Sequence, residues 1–362
     1  MSLAAKELHN VNTVLPGRDV DLFQAPYLAR PVSRPYPRTL SYPQLVLQRF
    51  ESGEELGLLT RAWDSIFSAV NPDIVVYDFA YSALVASYGK PWRKWLVGNG
   101  FMMPRMDGEF FGVFPGVPAN EENVRQIQGA EQRLVAIINA VLSMRGIQEI
   151  GSASDILGQA ECQLLLTLPE LDQFGARPSG VYLGLPAFHG GITPSWPEHG
   201  KFRVFAYLSK FGLLDEIVES LVNHDAALLV YCRDDVESLR EKFPTVRFVS
   251  DPVDLALVNQ QADLVVSMAN HGTCAISYLY GVPQLMIPRK QEQYYLAARI
   301  AQQGRGVILM QDDPGYAGKV ESAVAMARKG KFSINQSKID ELSGSRLARF
   351  IDKQLRFGAS SI

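Results

Sequence analysis

The sequence predicts an α/β protein built on parallel, doubly wound sheet, and three observations carry that expectation. Short apolar runs alternate with amphipathic helical stretches, most cleanly beyond residue 200. Pro/Gly turns punctuate the alternation. A chain of 362 residues, 47% hydrophobic and 20% charged, has core for about two domains.

The elements follow in chain order. Ser2–Val14 reads as a helix and Asp19–Gln24 as the strand after it. Asp73–Asp78 is a continuous apolar run bounded by acids, the pattern of a buried strand. Phe79–Tyr88 reads as a helix closed by Gly89 and Pro91, and Trp95–Gly98 as the next strand. Phe101–Asn120 has no period and is a long loop. Its Met and Phe side chains suit either an apolar acceptor pocket or packing between domains. Glu121–Met144 places Val124, Ile127, Leu134, Ile137, Ile138, Val141 and Leu142 at helical spacing. Gln163–Leu168 is another strand. Residues 184–200 carry four Gly and three Pro, a density that suits an inter-domain linker.

Strands are then expected at Phe202–Leu208, Ala226–Cys232, Val246–Val249, Leu264–Ser267, Gln284–Ile287 and Gly306–Leu309. Helical stretches separate them at Leu213–Asn223, Val236–Lys242, Val253–Gln260, Cys274–Tyr280 and Gln293–Gln303. Ser345–Phe357 is a terminal helix. The division is therefore 1–183, a linker at 184–200, a second domain at 201–335 and a terminal segment at 336–362.

Composition excludes several classes. Thirty-five basic and 38 acidic residues leave a net charge of −3, so no global basic field draws nucleic acid or an anionic membrane. No apolar stretch is long enough to span a bilayer. Lys6, Glu7 and His9 stand where an export signal needs an apolar run, which points to the cytoplasm. Cys162, Cys232 and Cys274 form no CxxC pair, so neither a disulfide framework nor a zinc cluster organises the chain. No GxxxxGK[ST], HExxH or GxSxG motif is present, and Val97–Gly100 is not a GxGxxG. Arg30, Arg34 and Arg38, interleaved with prolines, suit an extended surface loop or a contact to an anion.

The most informative stretch is Ala262–Leu309. A strand ends at Ser267, a tight turn follows, and a helix begins near Gly272-Thr273. Gly272 allows close backbone approach, Thr273 suits a cap or a phosphate contact, and helix-end N–H groups bind anions. Gly281-Val282-Pro283 then turns into another strand, after which come Glu292-Gln293. Both loops fall at the carboxyl edge of a parallel sheet, where ligands bind. Spacing alone leaves this open between a ligand site and one more βαβ unit.

These residues resemble the donor-binding segment of family 1-type glycosyltransferases with the GT-B fold, in particular bacterial natural-product and macrolide glycosyltransferases related to UDP-glucuronosyltransferases. Their signature is His-Gly/Ala-Gly-x-Gly-Thr, a helix, Gly-Val-Pro, a strand and Asp/Glu-Gln. Gly272-Thr273, Gly281-Val282-Pro283 and Glu292-Gln293 match it in identity and spacing. Asp251–Leu255 resembles the turn that carries the donor base, Pro72–Asp78 the acceptor-domain strand with its terminal Asp, and Leu168–Asp172 a landmark before the linker.

The resemblance implies two Rossmann-like domains facing across a cleft, with a nucleotide-diphosphate sugar (UDP- or dTDP-hexose) as co-substrate and neither metal nor other cofactor. It implies inverting transfer of a hexose to a hydroxyl of a small lipophilic acceptor. Gly272 and Thr273 would hold the diphosphate, Glu292 and Gln293 the sugar hydroxyls, and Pro252 and Val253 the base. Asp78 would orient a catalytic histidine, or else be a strand-end acid capping the Phe79 helix. A terminal helix such as Ser345–Phe357 would cross back to the first domain.

Departures from the pattern accompany the matches. Met268 stands at the signature's histidine, Asn270 at its second glycine, and His271 at its variable position, as a turn histidine or a substitute ligand. Ser209-Lys210 replaces a Gly-Ser, and Lys210 either supplies a cation beside the diphosphate or faces water. The opening strand and its histidine turn have no counterpart, so the first domain is expected to be incomplete, and His9 reads as solvated surface. Those departures keep two alternatives: a catalytically silent homologue or truncated product that binds nucleotide-sugar, and a GT-B sugar-nucleotide epimerase.

Overall fold

The structure, a computed structural model, describes residues 1–11, 17, 19–29, 39–178, 180–186, 190–333 and 345–357. It divides into two compact units, Met1–Leu164 with Ser179–Val181, and Leu165–Pro178 with Tyr182–Ile362. Arg30, Arg34 and Arg38 lie outside the described residues, as do 334–344.

The first unit opens differently from expectation. Ser2–Ala5 is a strand (β1), followed by a 3-10 turn at Leu8–Asn10, and not a helix. It pairs in parallel with β2 (Asp21–Gln24), Ser2 opposite Asp21 through Ala5 opposite Gln24. The helix propensity of Leu and Ala yields to this backbone pairing.

After β2 come α1 (Tyr42–Leu47), α2 (Gly53–Val70), β3 (Ile74–Tyr77), α3 (Tyr81–Ala86), β4 (Arg93–Gly98), α4 (Glu121–Met144), α5 (Ser154–Gly158), β5 (Cys162–Leu165) and β6 (Val181–Tyr182). The last four strands form one sheet in the order β3-β4-β5-β6, with β3 and β4 parallel. Helix α2 begins where the Ser52 hydroxyl accepts from the Glu55 N–H, and it ends at left-handed Asn71. Its Leu56, Leu59, Trp63 and Phe67 are buried. Helix α4 has the expected bounds and buries Ile127, Leu134, Ile137, Ile138, Val141 and Leu142.

Residues 101–120 form turns without a regular element. Phe101, Met103, Phe111 and Phe114 are nevertheless buried, and Phe111 meets the Tyr42 ring edge-on at 5.7 Å. Gly112 permits that approach: a Cβ there would lie 2.6 Å from the Cβ of Tyr42. These aromatic side chains are core of the first unit.

The second unit contains β7 (Phe202–Tyr207), α6 (Leu214–Asn223), β8 (Ala226–Tyr231), α7 (Glu237–Lys242), β9 (Arg247–Val249), α8 (Leu255–Gln261), β10 (Leu264–Ser267), α9 (His271–Leu279), β11 (Gln284–Met286), α10 (Gln291–Gln302), β12 (Gly306–Ile308), α11 (Tyr316–Arg328) and α12 (Ser345–Phe357). Its six strands lie in the order β12-β11-β10-β7-β8-β9, every neighbouring pair parallel. Because both faces of the sheet are covered, the strands read as apolar runs: Leu264–Ser267 is buried at every position.

Segment 165–178 belongs to this second unit. Leu168 and Leu171 pack with Ala275, Tyr278, Leu296 and Ile300 on α9 and α10. Buried Asp172 then fixes the turn, accepting from the Arg177 guanidinium at 2.8 Å and the Tyr182 hydroxyl at 2.7 Å. The described part of 184–200 also lies in the second unit. The Ile192 N–H donates to the Pro252 carbonyl at 2.8 Å, and the Asp254 N–H returns a bond to Ile192 at 3.0 Å.

Candidate functional site

The strand order locates the site before any residue is named. From β7 the chain moves outward through β8 and β9, then returns to the other side of β7 with β10, β11 and β12. The reversal falls between β7 and β10, and in open parallel sheets ligands bind at the carboxyl ends of the strands beside that switch. The loops at this edge are 208–213 after β7, 268–270 after β10 and 287–290 after β11.

The turn after β10 is tight because Ala269 is left-handed, with φ 57, and its N–H donates to the Ser267 hydroxyl at 3.2 Å. Met268 points into the core with Leu208, Leu285 and Leu309. Asn270 is the N-cap of α9, with extended φ −64 and ψ 135. Its side chain makes no cap bond, and among the described residues no group accepts from the N–H of Gly272 or Thr273. Two backbone donors and the positive end of a nine-residue helix therefore face the switch point with no acceptor among the described residues. Thr273 is buried, and its carbonyl accepts from Ser277.

Helix α10 begins beside this turn. Gln293, its third residue, accepts through Oε1 from the N–H groups of Arg289 at 2.8 Å and Lys290 at 3.0 Å. Through Nε2 it donates to Asn270 Oδ1 at 2.8 Å. The Arg289 guanidinium donates to the Ser209 hydroxyl at 2.9 Å, joining the loops after β11 and β7. Exposed Lys210, Arg233 and Lys290 lie on the same sheet edge, together with exposed Asp234, Asp235 and Asp251.

Segment 165–178 reaches the same helix ends. Thr167 Oγ1 lies 2.8 Å from His271 Nε2, and Gln173 donates to the Glu292 carbonyl at 3.2 Å. Burial lowers the pKa of His271 from 6.5 to about 4, so its ring is neutral at pH 7.

Six of the expected site residues thus meet at the ends of β10 and β11: Asn270, His271, Gly272, Thr273, Glu292 and Gln293. Lys210 is on the neighbouring turn, where its N–H donates to Asp234. Pro252 and Val253 follow β9, at the edge of the sheet. The Pro252 carbonyl is engaged by Ile192, and the Val253 side chain packs with Phe205, Tyr231 and Val265. Asp78 belongs to the first unit, where it is exposed just past β3. The N-cap of α3 is Ala80, two residues further on. Left-handed Phe79 (φ 44) turns the chain between them.

Thr167, Gln173 and Arg289 join the site without having been singled out in the sequence, and Ser209, noted there only beside Lys210, joins it through Arg289. Arg289 carried a signal, being the second residue past an apolar strand that ends at the carboxyl edge. Thr167 carried none, since nothing local links it to a helix 104 residues later. Among the described residues no group of three or more His, Cys, Asp or Glu is placed to hold a metal ion. No described helix is long and apolar enough to cross a membrane.

Comparison with known proteins adds the following. Residues 227–353 match the glycosyltransferase family 28 C-terminal domain. No curated protein matches the chain. Among solved structures the chain is similar to CalG4, the calicheamicin glycosyltransferase, with a TM-score of 0.62 and 14% identity over 98% of this chain and 91% of that one. It is similar to the glycosyltransferase VinC in complex with DTDP, at TM-score 0.61 and 16% identity over 93% and 88% of the two chains. It is also similar to the spinosyn rhamnosyltransferase SpnG complexed with spinosyn aglycone, at TM-score 0.60 and 14% identity over 97% and 91%. These likenesses establish the fold as GT-B.

Proposed function

We propose that this chain, which has the GT-B fold and whose residues 227–353 match the glycosyltransferase family 28 C-terminal domain, is a glycosyltransferase that moves a hexose from a dTDP- or UDP-sugar to a hydroxyl of a small lipophilic acceptor, in the cytoplasm, by inverting transfer that uses no metal ion. The observation that carries this reading is the open first turn of α9 at the switch point, bordered by Arg289 and Lys210. The N–H groups of Gly272 and Thr273, together with the Thr273 hydroxyl, hold the diphosphate, and the neighbouring cations balance its charge. Glu292, whose backbone Gln173 fixes, faces the sugar.

In the transfer step the acceptor oxygen bonds to the anomeric carbon as the bond from that carbon to the diphosphate oxygen breaks. The electron pair leaves with the nucleoside diphosphate, which donors fixed in advance stabilise. The acceptor's proton passes to a general base, and Asp78 is assigned to orient that base from the exposed end of β3. A positioned base is worth about 10²–10⁴-fold. Two of the similar structures support this assignment of ligands, one holding DTDP and one an aglycone.

A second reading keeps donor binding and drops transfer. Met268 favours it, because its side chain is spent in the core where the signature has a histidine. Incubation of the full chain with dTDP-glucose or UDP-glucose and a panel of lipophilic alcohols and phenols, followed by mass spectrometry, separates the two. A product heavier than its acceptor by one hexosyl unit, a hexose less one water, is expected. Donor binding with neither transfer nor hydrolysis establishes the second reading.

A further inference from the structure

We propose that Gln293 is a positioning residue that draws the Asn270 side chain off the first turn of α9, leaving that turn's N–H groups for the donor diphosphate; the inference rests on the donor site described above. The resemblance implied a different role for Gln293, a contact to sugar hydroxyls. Its hydrogen-bonding capacity is largely committed elsewhere. A side-chain amide has two acceptor sites and two donor hydrogens. Both acceptor sites are taken by the N–H groups of Arg289 and Lys290, and one donor hydrogen goes to Asn270 Oδ1. What remains is one hydrogen on a side chain whose two ends are already pinned to two different helix starts.

Asn270 gives the arrangement its purpose. An Asn at an N-cap, in the extended conformation that Asn270 has, ordinarily turns its side-chain oxygen onto the second or third N–H of its own helix. For α9 those are the N–H groups of Gly272 and Thr273. The signature has glycine at this position, which offers no side chain to compete with a phosphate. Here a competitor is present, and the 2.8 Å bond from Gln293 Nε2 holds it away. Asn270 and Gln293 thus act as a pair: the glutamine matters to the diphosphate because the asparagine is there.

Calorimetry with the nucleoside diphosphate alone (dTDP or UDP) and with the corresponding glucose donor tests this in the full chain. In Gln293→Met the released Asn270 closes onto α9, and both ligands are expected to weaken by the same factor, about fivefold, the worth of one N-cap. Asn270→Ala removes the competitor, so Asn270→Ala combined with Gln293→Met is expected to bind about fivefold more tightly than Gln293→Met alone. Urea-unfolding midpoints of Gln293→Met with and without Asn270→Ala guard against a folding defect, because a rescue of affinity at an unchanged midpoint reads the competition alone. Loss confined to the sugar-bearing donor, or no rescue by Asn270→Ala, overturns the inference in favour of sugar contact. Absence of binding by the wild type to any of these ligands overturns the donor site itself, a result distinct from both.

Discussion

His271 Nε2 and Thr167 Oγ1 lie 2.8 Å apart, so the first residue of α9 is tied to a segment 104 positions earlier in the chain. Thr167 is fully buried, and the Leu168 and Leu171 contacts seat its segment on α9 and α10. Thr167→Val removes the hydroxyl at constant shape and leaves a buried ring nitrogen unpaired. Destabilisation of about 1–3 kcal/mol is expected in urea unfolding. An unchanged midpoint would show the bond to be dispensable.

The same histidine makes stability depend on pH. Its pKa falls from 6.5 in an unfolded chain to about 4 in the folded one, because burial disfavours the charged ring. Between those values the unfolded state binds more protons. The His271 contribution is therefore full above about pH 6.5 and is lost as pH falls toward 4. His271→Asn is expected to lose less stability than wild type between pH 7 and pH 5. Equal losses over that interval would mean that His271 is not the titrating group.

Gly191 is pinned by its neighbours. Its φ is 113, and an added Cβ would lie 2.7 Å from both the Asp254 nitrogen and the Val253 carbonyl carbon. Both obstacles are backbone, so nothing yields cheaply. Gly191→Ala is expected to lower stability by about 1–3 kcal/mol. Because the displaced backbone is the 252–254 turn, affinity for the nucleotide base should fall with it. A variant as stable as wild type would contradict the close approach.

Asp172 and Arg177 form a buried ion pair, with the carboxylate fully enclosed. Asp172→Ala removes the buried carboxylate that holds both the Arg177 guanidinium and the Tyr182 hydroxyl, and loss of about 3–5 kcal/mol is expected by denaturant titration. Tyr182→Phe removes only the hydroxyl's bond and should cost less.

The sheet of the second unit was legible because buried parallel strands are continuous apolar runs, and all six appear within a residue or two of their expected bounds. Helix α4 was legible for the complementary reason, its 3.6-residue apolar stripe. The opening was misread because Leu3, Ala4 and Ala5 have helix propensity, while their pairing with Leu22–Gln24 is non-local. Helix α2 carried a readable signal, Ser52 three residues before Glu55, ahead of the apolar spacing of Leu56, Leu59 and Trp63. For the site, the turn and its helix were legible from Gly272-Thr273. The commitment of Gln293 to Asn270 was not, because motif spacing reports which residues gather and not which bonds they spend on each other.

Arg289 is placed to act on the diphosphate, exposed on the edge loop and steadied by Ser209. Arg289→Ala is expected to weaken donor binding by about 1–3 kcal/mol, and the loss should shrink as salt is raised. Equal affinity in variant and wild type at low salt would remove Arg289 from the site.

The central claim is that the open turn of α9 holds a nucleotide-diphosphate donor, and calorimetric titration of the full chain with dTDP-glucose and UDP-glucose measures it directly. Saturable binding of at least one donor is expected, weakened by about 1–3 kcal/mol in Thr273→Ala. No saturable binding of either donor, or equal affinity in Thr273→Ala, would contradict it.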